Sequence, residues 1–333
     1  ALDWKMNVDW FRLDKTTRLA TRFLDNVIDA NHYATPEIED MTKATRKIGL
    51  GIMGFADLLI QLRIGYDTEL GRIVGNYIMG FIRDIADNES MRLAKSRGVF
   101  PAWSGSDYAQ SDRKLRNACR LTVAPTGTIS MLADTSSGVE PTFALAWKKI
   151  NILEGEALHY VNKYFERDAR KYDFYSEELM DYISDGGSIQ SRDDVPQWVK
   201  EVYTVAGDIT PEAHVLMQAA FQQHCDSGIS KTINFSNDAS IEDVYTAYIL
   251  AWEEGCKGIT VYRSGSREKE VLVKAEAPQN TTVENPLQLD FFDALVEEPV
   301  LVAGGECCAT PHHVEESGCV TCKSCGWSKC HIA

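Results

Sequence analysis

The fold is decided by the stretch Ala124-Pro125-Thr126-Gly127-Thr128-Ile129-Ser130. The β-branched run Leu121-Thr122-Val123 precedes it and predicts a strand, which ends at Pro125 because proline has no N–H to donate to a sheet. A short helical turn is predicted to follow. The start of a helix offers unpaired N–H groups, Gly127 lets an anion approach the backbone, and the two threonines add hydroxyls. The stretch therefore predicts a phosphate-binding loop, and a Ser/Thr-rich turn that only caps a helix is the alternative.

Composition predicts a globular protein with an acidic surface. The 333 residues are 44% hydrophobic and 10% aromatic, which is enough for one large domain or two ordinary ones. The net charge of -15 would repel a phosphate backbone, and no basic stripe offsets it, so nucleic acid polymers are not expected partners. No apolar run approaches the roughly 20 residues that span a bilayer, and no signal peptide is visible. We therefore expect a cytoplasmic protein that does not bind membranes.

The N-terminal third predicts three helices. Between residues 16 and 30, Leu19, Phe23, Val27 and Ile28 recur at helical spacing, so this face is expected to pack inward. The second and third helices are predicted over residues 37–62 and 69–94. The chain has no initiator Met and opens near an amphipathic segment, so we expect a missing upstream part.

The region after residue 210 predicts a parallel sheet. Thr210-Pro211 is typical of a helix start, and that helix is expected to run to about residue 225. A strand over residues 230–235 is followed by a helix that Ser240 caps and Gly255 ends, and by a second strand over residues 258–262. The apolar face of that helix is predicted to contain Ile241, Val244, Tyr248, Ile249 and Trp252. Strand, helix and strand at this spacing form a βαβ unit, whose strands are parallel.

Three regions follow from this pattern. Residues 1–268 are predicted to form the folded domain, residues 269–303 an acidic flexible linker, and residues 304–333 a cysteine-rich tail. Six of the nine cysteines lie in the last 27 residues, whereas a disulfide framework would be spread through the fold. The tail therefore indicates a metal site or a redox dithiol.

Several ordered motifs resemble one family. The phosphate-loop stretch continues through Gly138-Val139-Glu140-Pro141, and further matches lie at residues 46–55, 230–234 and 255–263. Together they span most of residues 14–268 and are similar to the C-terminal part of the large chain of the adenosylcobalamin-dependent ribonucleotide reductases. The resemblance implies an α/β fold, the C-terminal half of a ten-stranded α/β barrel made of two parallel halves.

The resemblance also implies an activity and a site. The activity is reduction of ribonucleotides, diphosphates rather than triphosphates, to 2'-deoxyribonucleotides by thiyl-radical chemistry, with adenosylcobalamin as cofactor. The residues matching the family's substrate-phosphate site are Pro125, Thr126, Gly127, Thr128 and Ile129. The implied partners are the ribonucleotide substrate, a thioredoxin-like reductant, the missing N-terminal half of the enzyme and a second copy in a homodimer. The residues that bind cobalamin are not identified, because the Asp-x-His-x-x-Gly pattern of a separate cobalamin domain is absent.

Two departures from the family bear on activity. The family's radical cysteine lies in an Asn-x-Cys-x-Glu segment that is absent here; Asn117-Ala118-Cys119 imitates its start, but Leu121 replaces the Glu. Cys119 is therefore interpreted as a core cysteine, and the chain alone is expected to be inactive. An iron-dependent reductase would carry two adjacent tyrosines, whereas Val261 precedes the single Tyr262. The alternatives are an iron-dependent large subunit and a non-catalytic nucleotide-binding or zinc-ribbon regulatory protein.

Two motifs are interpreted as structural. Gly49-Leu50-Gly51-Ile52-Met53-Gly54 fits a dinucleotide fingerprint, with Asp67 at a plausible distance for a ribose contact. A buried strand must precede such a loop, but residues 41–47 are polar, so the glycines are expected to allow close backbone packing instead. His224 and Cys225 are sequence neighbours that point apart on a helix, so we expect a buried helix end rather than a nucleophile pair.

The cysteine tail supports two chemistries. A redox shuttle would use Cys325 and Cys330, with Cys319 and Cys322 as the alternative pair, and neighbouring lysines would favour the thiolate. A tetrahedral zinc site is the other interpretation. Its ligands would be Cys307, Cys308, Cys322 and Cys325, with His312 or His313 as further ligands.

Overall fold

The structure is a computed structural model that describes residues 4–152, 156–266, 313–316, 319–322 and 328–330. It has two compact units, Ala1–Pro278 and Gln279–Ala333. The helices of the first unit are α1 (Trp10–Ala30), α2 (Pro36–Thr45), α3 (Phe55–Leu62), α4 (Glu69–Arg97), α5 (Asp107–Gln110), α6 (Gly127–Leu132), α7 (Lys163–Lys171), α8 (Glu177–Ser184), α9 (Gln197–Val202), α10 (Pro211–Gln222) and α11 (Ile241–Glu253). Its strands are β1 (Ala146–Ile152), β2 (Glu156–Val161), β3 (Thr232–Phe235) and β4 (Thr260–Arg263).

Parallel strand segments form the centre of the first unit. β3 pairs with β4 in parallel, from Thr232 opposite Thr260 to Phe235 opposite Arg263, as the sequence predicted. Further parallel bridges join Leu50 to Leu121 and Val123 to Ile229. Four chain segments thus lie side by side in sequence order, and helices connect each to the next. This order is the one expected of half an α/β barrel.

The glycines at residues 49–51 allow two of these segments to approach closely. A Cβ on Gly51 would lie 2.5 Å from the Thr122 carbonyl oxygen, and one on Gly49 would lie 2.7 Å from the Thr122 methyl carbon. The preceding residues 41–45 belong to α2 rather than to a strand. The packing interpretation of these glycines is therefore confirmed, and the context of a dinucleotide fingerprint is missing.

Polar side chains cap most of the long helices. Asp9 accepts the Arg12 N–H at 2.9 Å, Thr68 accepts that of Gly71 at 3.0 Å, and Thr210 accepts that of Ala213 at 3.2 Å. Ser240 and Asp243 form a reciprocal capping box at the start of α11. These caps satisfy N–H groups that a helix start leaves unpaired. α4, α10 and α11 begin where the sequence predicted, whereas α1 begins at Trp10, before the predicted start at residue 16.

The predicted helix over residues 37–62 is wrong as a single element. α2 ends at Thr45 and α3 begins at Phe55, because Arg46 adopts a left-handed conformation with φ of 45° and Gly54 one with φ of 80°. The guanidinium of Arg46 donates to Asp25 at 2.9 Å and to Asp29 at 2.7 Å. These charge-assisted bonds stabilise the turn between the two helices.

The predicted inward face of α1 is confirmed at Ile28 and wrong at its other three positions. Leu19 and Phe23 are 66% and 62% exposed, and Val27 is 41% exposed. The buried residues of α1 besides Ile28 are Thr17, Thr21 and Asp25. The helix is turned this way because the buried Asp25 carboxylate pairs with Arg46 and Arg97, each at 2.9 Å.

The apolar face of α11 is exposed as well. Its exposed members are Ile241, Tyr245, Tyr248, Ile249 and Trp252, whereas Val244 is partly buried. The helix packs inward through Ala247 and Ala251, which contact the cluster of Val215, Ile233 and Phe235. Small side chains on the inner face let α11 approach the sheet closely.

Two larger hydrophobic cores stabilise the first unit beside the cluster under α11. The larger lies between α3, α4 and α10, where the rings of Phe55 and Phe221 meet edge to face at 4.8 Å. A second core surrounds Phe165 and Tyr203 between α7, α8 and α9. The antiparallel hairpin of β1 and β2, which precedes α7, is an element that the sequence analysis missed.

The second unit contains three antiparallel strands, β5 (His313–Glu316), β6 (Cys319–Cys322) and β7 (Ser328–Cys330). Their backbone register sets His313 opposite Cys322 and Cys319 opposite Cys330. Residues 269–303, which were predicted to be a linker, lie outside the described residues, as do Cys307, Cys308, His312 and Cys325. Across the part of the chain that is described, no helix is both long and apolar enough to span a membrane.

Candidate phosphate-binding site

The predicted phosphate loop lies between a strand segment and a short helix, as expected. Val123 bridges to Ile229, and α6 begins at Gly127. Thr126 caps α6 with a left-handed backbone at φ 45°, and its carbonyl oxygen accepts the Ser130 N–H at 2.9 Å. The first N–H groups of a helix have no acceptor within the helix. Gly127 and Thr128 are exposed, and Ile129 is 54% exposed, so this row of donors faces solvent.

The segment that returns from α6, residues 136–140, contacts the loop directly. The hydroxyls of Thr126 and Ser137 lie 3.1 Å apart, and Ser137 also donates to the Pro125 carbonyl at 3.0 Å. Gly138 has a φ of 45°, and a Cβ there would lie 3.4 Å from the Thr126 hydroxyl. The Thr126 hydroxyl therefore holds the loop in shape, because its bond to Ser137 occupies it.

The return segment is anchored at its start to α3. The Ser136 N–H donates to the Asp57 carboxylate at 2.8 Å, and the Asp57 N–H donates to the Ser136 hydroxyl at 3.3 Å. The Gly54 N–H reaches the Ser136 carbonyl at 2.8 Å. Burial raises the pKa of the Asp57 carboxyl, and the bond from Ser136 opposes that rise. The start of α3 and the start of the return segment are distant in sequence and are thus held together by these bonds.

The end of the return segment is anchored to a buried charged cluster. Tyr66 donates its hydroxyl to the Val139 carbonyl at 2.5 Å, and the Glu140 carboxylate accepts the Thr232 N–H at 2.6 Å. The second oxygen of Glu140 lies 3.3 Å from the Lys231 ammonium. The return segment is therefore bonded to Thr232 of β3 at one end and to Thr126 of the loop through Ser137.

Lys231 is buried, and all three of its ammonium protons have acceptors. They are the Glu140 carboxylate, the Thr232 carbonyl at 2.9 Å and Nδ1 of His214 at 2.8 Å. Nε2 of His214 lies 3.2 Å from the Ala206 carbonyl, so the network assigns the ring proton to Nε2. Burial and the neighbouring Lys231 charge lower the pKa of His214 to about 3. His214 is thus a neutral acceptor for the lysine.

The sequence analysis did not identify Tyr66, His214 or Lys231 as site residues. Lys231 lies at the start of the predicted strand over residues 230–235, and a charged side chain in a buried strand is the signal that could have found it. Tyr66 and His214 carry no local signal, because they join the cluster only through long-range packing.

The scattered cysteines do not join the loop. Cys119 is only partly buried, which corrects the expectation of a core cysteine: its backbone oxygen accepts the Ile48 N–H at 3.0 Å, while the chain turns Arg120 inward. Cys225 is buried, and burial raises the pKa of its thiol to about 12. The interpretation of Cys225 as a buried residue after a helix end is confirmed.

The described residues contain no cluster of metal-ligating side chains. Among them, no group of three or more His, Cys, Asp or Glu side chains is placed to hold a metal ion. His214 is bonded through both ring nitrogens, whereas Nε2 of His224 is buried near Gly80 without a hydrogen-bond partner. Cobalamin contacts are not assigned to residues of this chain.

Known proteins match the chain over most of its length. The family model described as "Ribonucleotide reductase, barrel domain" matches residues 2–115 and 112–262. The vitamin B12-dependent ribonucleoside-diphosphate reductase of Thermoplasma acidophilum is 47% identical over 270 residues, which are 81% of this chain and 35% of that protein. The protein of the same name from Mycobacterium tuberculosis (strain CDC 1551 / Oshkosh) is 44% identical over 268 residues, 80% of this chain and 38% of the relative. The chain thus spans little more than a third of these relatives.

A solved structure shows the same fold. The class Id ribonucleotide reductase alpha subunit of Actinobacillus ureae superposes with a TM-score of 0.64 at 23% sequence identity, over 75% of this chain and 46% of that one. The barrel fold predicted from the sequence motifs is therefore confirmed. From the family match and the two relatives, the chain belongs to the ribonucleotide reductase family, as part of its barrel domain.

Proposed function

We propose that the chain carries the substrate-phosphate site of a vitamin B12-dependent ribonucleoside-diphosphate reductase. The observation that carries the proposal is the exposed row of N–H groups at the start of α6, in a loop held from three sides. The names of the relatives at 44% and 47% identity supply the activity, the diphosphate substrate and the dependence on vitamin B12.

The loop would bind the diphosphate through its backbone. Gly127, Thr128 and Ile129 offer N–H groups, and Thr128 adds a hydroxyl, while Pro125 and Thr126 shape the loop. Because Asp57, Ser137 and Glu140 fix the return segment, little conformational entropy is lost when the phosphates bind. The role of the chain is then to position the ribose so that its reacting carbon faces the radical thiol.

The radical itself would come from outside these residues. Bound adenosylcobalamin supplies the first radical in such a reaction. The 333 residues contain no Asn-x-Cys-x-Glu segment, so another part of the enzyme would provide the radical thiol. Homodimer formation and a cytoplasmic location stay predictions.

We propose that tail cysteines return electrons to the barrel. Two thiols, Cys325 and Cys330, would reduce the disulfide that each turnover leaves, becoming a disulfide themselves, and a thioredoxin-like partner would reduce them by dithiol exchange. Cys319 and Cys322 are the alternative pair. Changing Cys330 to Ser should abolish turnover driven by thioredoxin and spare turnover driven by a small dithiol. If the Cys330→Ser enzyme turned over equally well with thioredoxin and with the small dithiol, the shuttle role of Cys330 would be overturned.

A zinc site is the competing role for the same tail. It would use Cys307, Cys308, Cys322 and Cys325, whose thiolates suit a tetrahedral ion. Metal analysis of the purified chain tests it: one zinc per chain that resists dialysis supports the site, and a metal-free tail with active shuttle thiols excludes it.

The activity can be tested in a chimera. Residues 1–278 of this chain would replace the matching part of the Thermoplasma acidophilum reductase, and reduction of cytidine diphosphate would be measured with and without adenosylcobalamin. We expect reduction only with the cofactor and without a second subunit. Reduction that needs an iron-containing subunit would instead support the iron-dependent class. A chimera that is folded but inactive under both conditions would favour a non-catalytic regulatory protein.

The phosphate site needs a variant that leaves the fold intact. A Cβ on Gly127 would meet no heavy atom within 4 Å, so Gly127→Ala should fold normally. Its methyl group would lie where a phosphate approaches the backbone, and we expect KM of the chimera for the diphosphate to rise about tenfold, equivalent to about 1.4 kcal/mol. Gly105→Ala, also in open space, is the matched control. An unchanged KM in Gly127→Ala would place the phosphates elsewhere.

A further inference from the structure

The buried ammonium of Lys231 is the feature that phosphate binding leaves unexplained. It is 1% exposed and lies between Glu140, His214 and the Thr232 carbonyl. Burial lowers the pKa of the Lys231 ammonium, and the charge and hydrogen bond of the Glu140 carboxylate oppose that shift. Burying a cation is costly unless a carboxylate and further acceptors compensate, and here every proton is paired. The arrangement stabilises one particular position of Glu140, the last residue of the return segment.

We propose that Lys231 is a positioning residue whose charge neutralises Glu140 beside the phosphate loop, so that the loop accepts an anionic diphosphate. The inference rests on the proposed function, because it assigns a role within that same phosphate site. Lys231 does not contact the substrate in this proposal. It acts through the Glu140 carboxylate.

Strand register places both charges close to the loop. Val123 bridges to Ile229 in parallel, and the Ser230 N–H donates to the Val123 carbonyl at 3.0 Å. Two residues beyond this bridge, one segment reaches Pro125 of the loop and the other reaches Lys231. Glu140 is linked to the loop by Ser137. The Ser137 carbonyl accepts the Glu140 N–H at 2.9 Å, and the Ser137 hydroxyl contacts that of Thr126.

Among the side chains that the structure describes, Lys231 is the cation that pairs with Glu140. His214, from α10, is neutral because burial lowers its pKa to about 3. Tyr66, from the turn between α3 and α4, is neutral because burial raises its pKa. On the loop side, Lys163 is already paired with Asp134 at 2.5 Å. Without Lys231, the Glu140 carboxylate would stand unpaired near the incoming phosphates.

The expected size of this repulsion can be worked out. A unit charge about 10 Å from a doubly charged diphosphate, at an effective dielectric constant of about 40, weakens binding by roughly tenfold. The Debye length falls from about 30 Å at 0.01 M salt to about 8 Å at 0.15 M, so salt screens the effect. A loss of binding caused only by a damaged fold would not recover with salt.

Titration calorimetry of the full 333-residue chain with inorganic pyrophosphate and with cytidine diphosphate tests the proposal. At 10 mM salt we expect Lys231→Met to bind both probes about tenfold more weakly than the unaltered chain, with the difference shrinking at 150 mM salt. The double variant Lys231→Met/Glu140→Gln should recover binding to within about twofold, since no unpaired charge remains and the new amide oxygen still accepts the Thr232 N–H. Lys95→Met, which removes an exposed lysine on α4, is the control for loss of one positive charge.

The outcomes separate this proposal from the phosphate site itself. If the unaltered chain binds neither probe, the phosphate site fails and this inference fails with it. If the unaltered chain binds and Lys231→Met binds equally well, or if the double variant stays as weak as the single one, only the role of Lys231 is overturned. Should Lys231→Met fail to fold, Glu140→Gln decides: we expect it to bind pyrophosphate at least as tightly as the unaltered chain, and weaker binding would overturn the proposal.

Discussion

Gly51 offers a direct test of the packing on which the phosphate loop depends. In Gly51→Ala the new Cβ would lie 2.5 Å from the Thr122 carbonyl oxygen and 3.6 Å from the Val123 Cα. Thr122 cannot move aside easily, because its N–H donates to the Leu50 carbonyl at 3.0 Å and the Leu50 N–H donates to the Arg120 carbonyl at 2.8 Å. The clash therefore acts on the strand segment that leads into the loop.

The magnitude follows from two opposing effects. Overpacking at a site that cannot relax costs about 1–3 kcal/mol, whereas alanine gains about 0.4–1 kcal/mol over glycine by restricting the unfolded chain. We expect a net loss of about 1–2 kcal/mol in the free energy of unfolding, measured by urea denaturation of the full chain. Gly105→Ala, whose Cβ would meet nothing within 4 Å, should be as stable as the unaltered chain or slightly more stable. Equal stability of the two variants would refute the close approach of these segments.

Three further predictions concern the core, a thiol and pH. Phe221→Ala removes a fully buried ring that packs against Phe55, and it should lower the free energy of unfolding by about 3–5 kcal/mol. Phe221→Leu should lower it by less than about 1.5 kcal/mol. Equal losses in the two variants would contradict this packing. Burial raises the pKa of the Cys225 thiol from 9.0 to about 12, and each pKa unit changes the thiolate fraction tenfold. Cys225 should therefore react with iodoacetamide about a thousandfold more slowly in the folded chain than after unfolding. Rapid labelling of Cys225 in the folded chain, detected by peptide mapping, would rule out its burial. His214 stays neutral in the folded state to about pH 3 but takes up a proton near pH 6.5 when unfolded, so stability should fall as pH drops through this window, by on the order of 1.4 kcal/mol per pH unit. In His214→Gln that part of the slope should vanish, and an unchanged slope would show that His214 is not held neutral.

Local chemistry explains what the sequence could predict. The strand, proline and glycine around residues 121–127 encode the phosphate loop through short-range rules, and the β-branched runs near residues 232 and 260 encode the parallel pair. The cap residues Thr210 and Ser240 act within one helical turn, which is why those helix starts were predicted correctly. Such features need no knowledge of distant contacts.

Long-range contacts explain what the sequence could not predict. The orientation of α1 depends on the buried Asp25, whose partners Arg46 and Arg97 lie 21 and 72 residues away in sequence. The Glu140–Lys231 pair joins groups 91 residues apart. Hydrophobic periodicity ranks Leu19 above Asp25 as a core residue, and only the tertiary ion pairs reverse that order.

The central claim is that the start of α6 binds the phosphates of a ribonucleoside diphosphate. Its most direct test is to measure the backbone amide chemical shifts of the isotope-labelled chain while cytidine diphosphate is added. We expect saturable shifts of the Gly127, Thr128 and Ile129 amides, which inorganic pyrophosphate reproduces and Gly127→Ala weakens. Saturable shifts confined to other parts of the chain, or saturated binding that leaves these three amides unmoved, would contradict it.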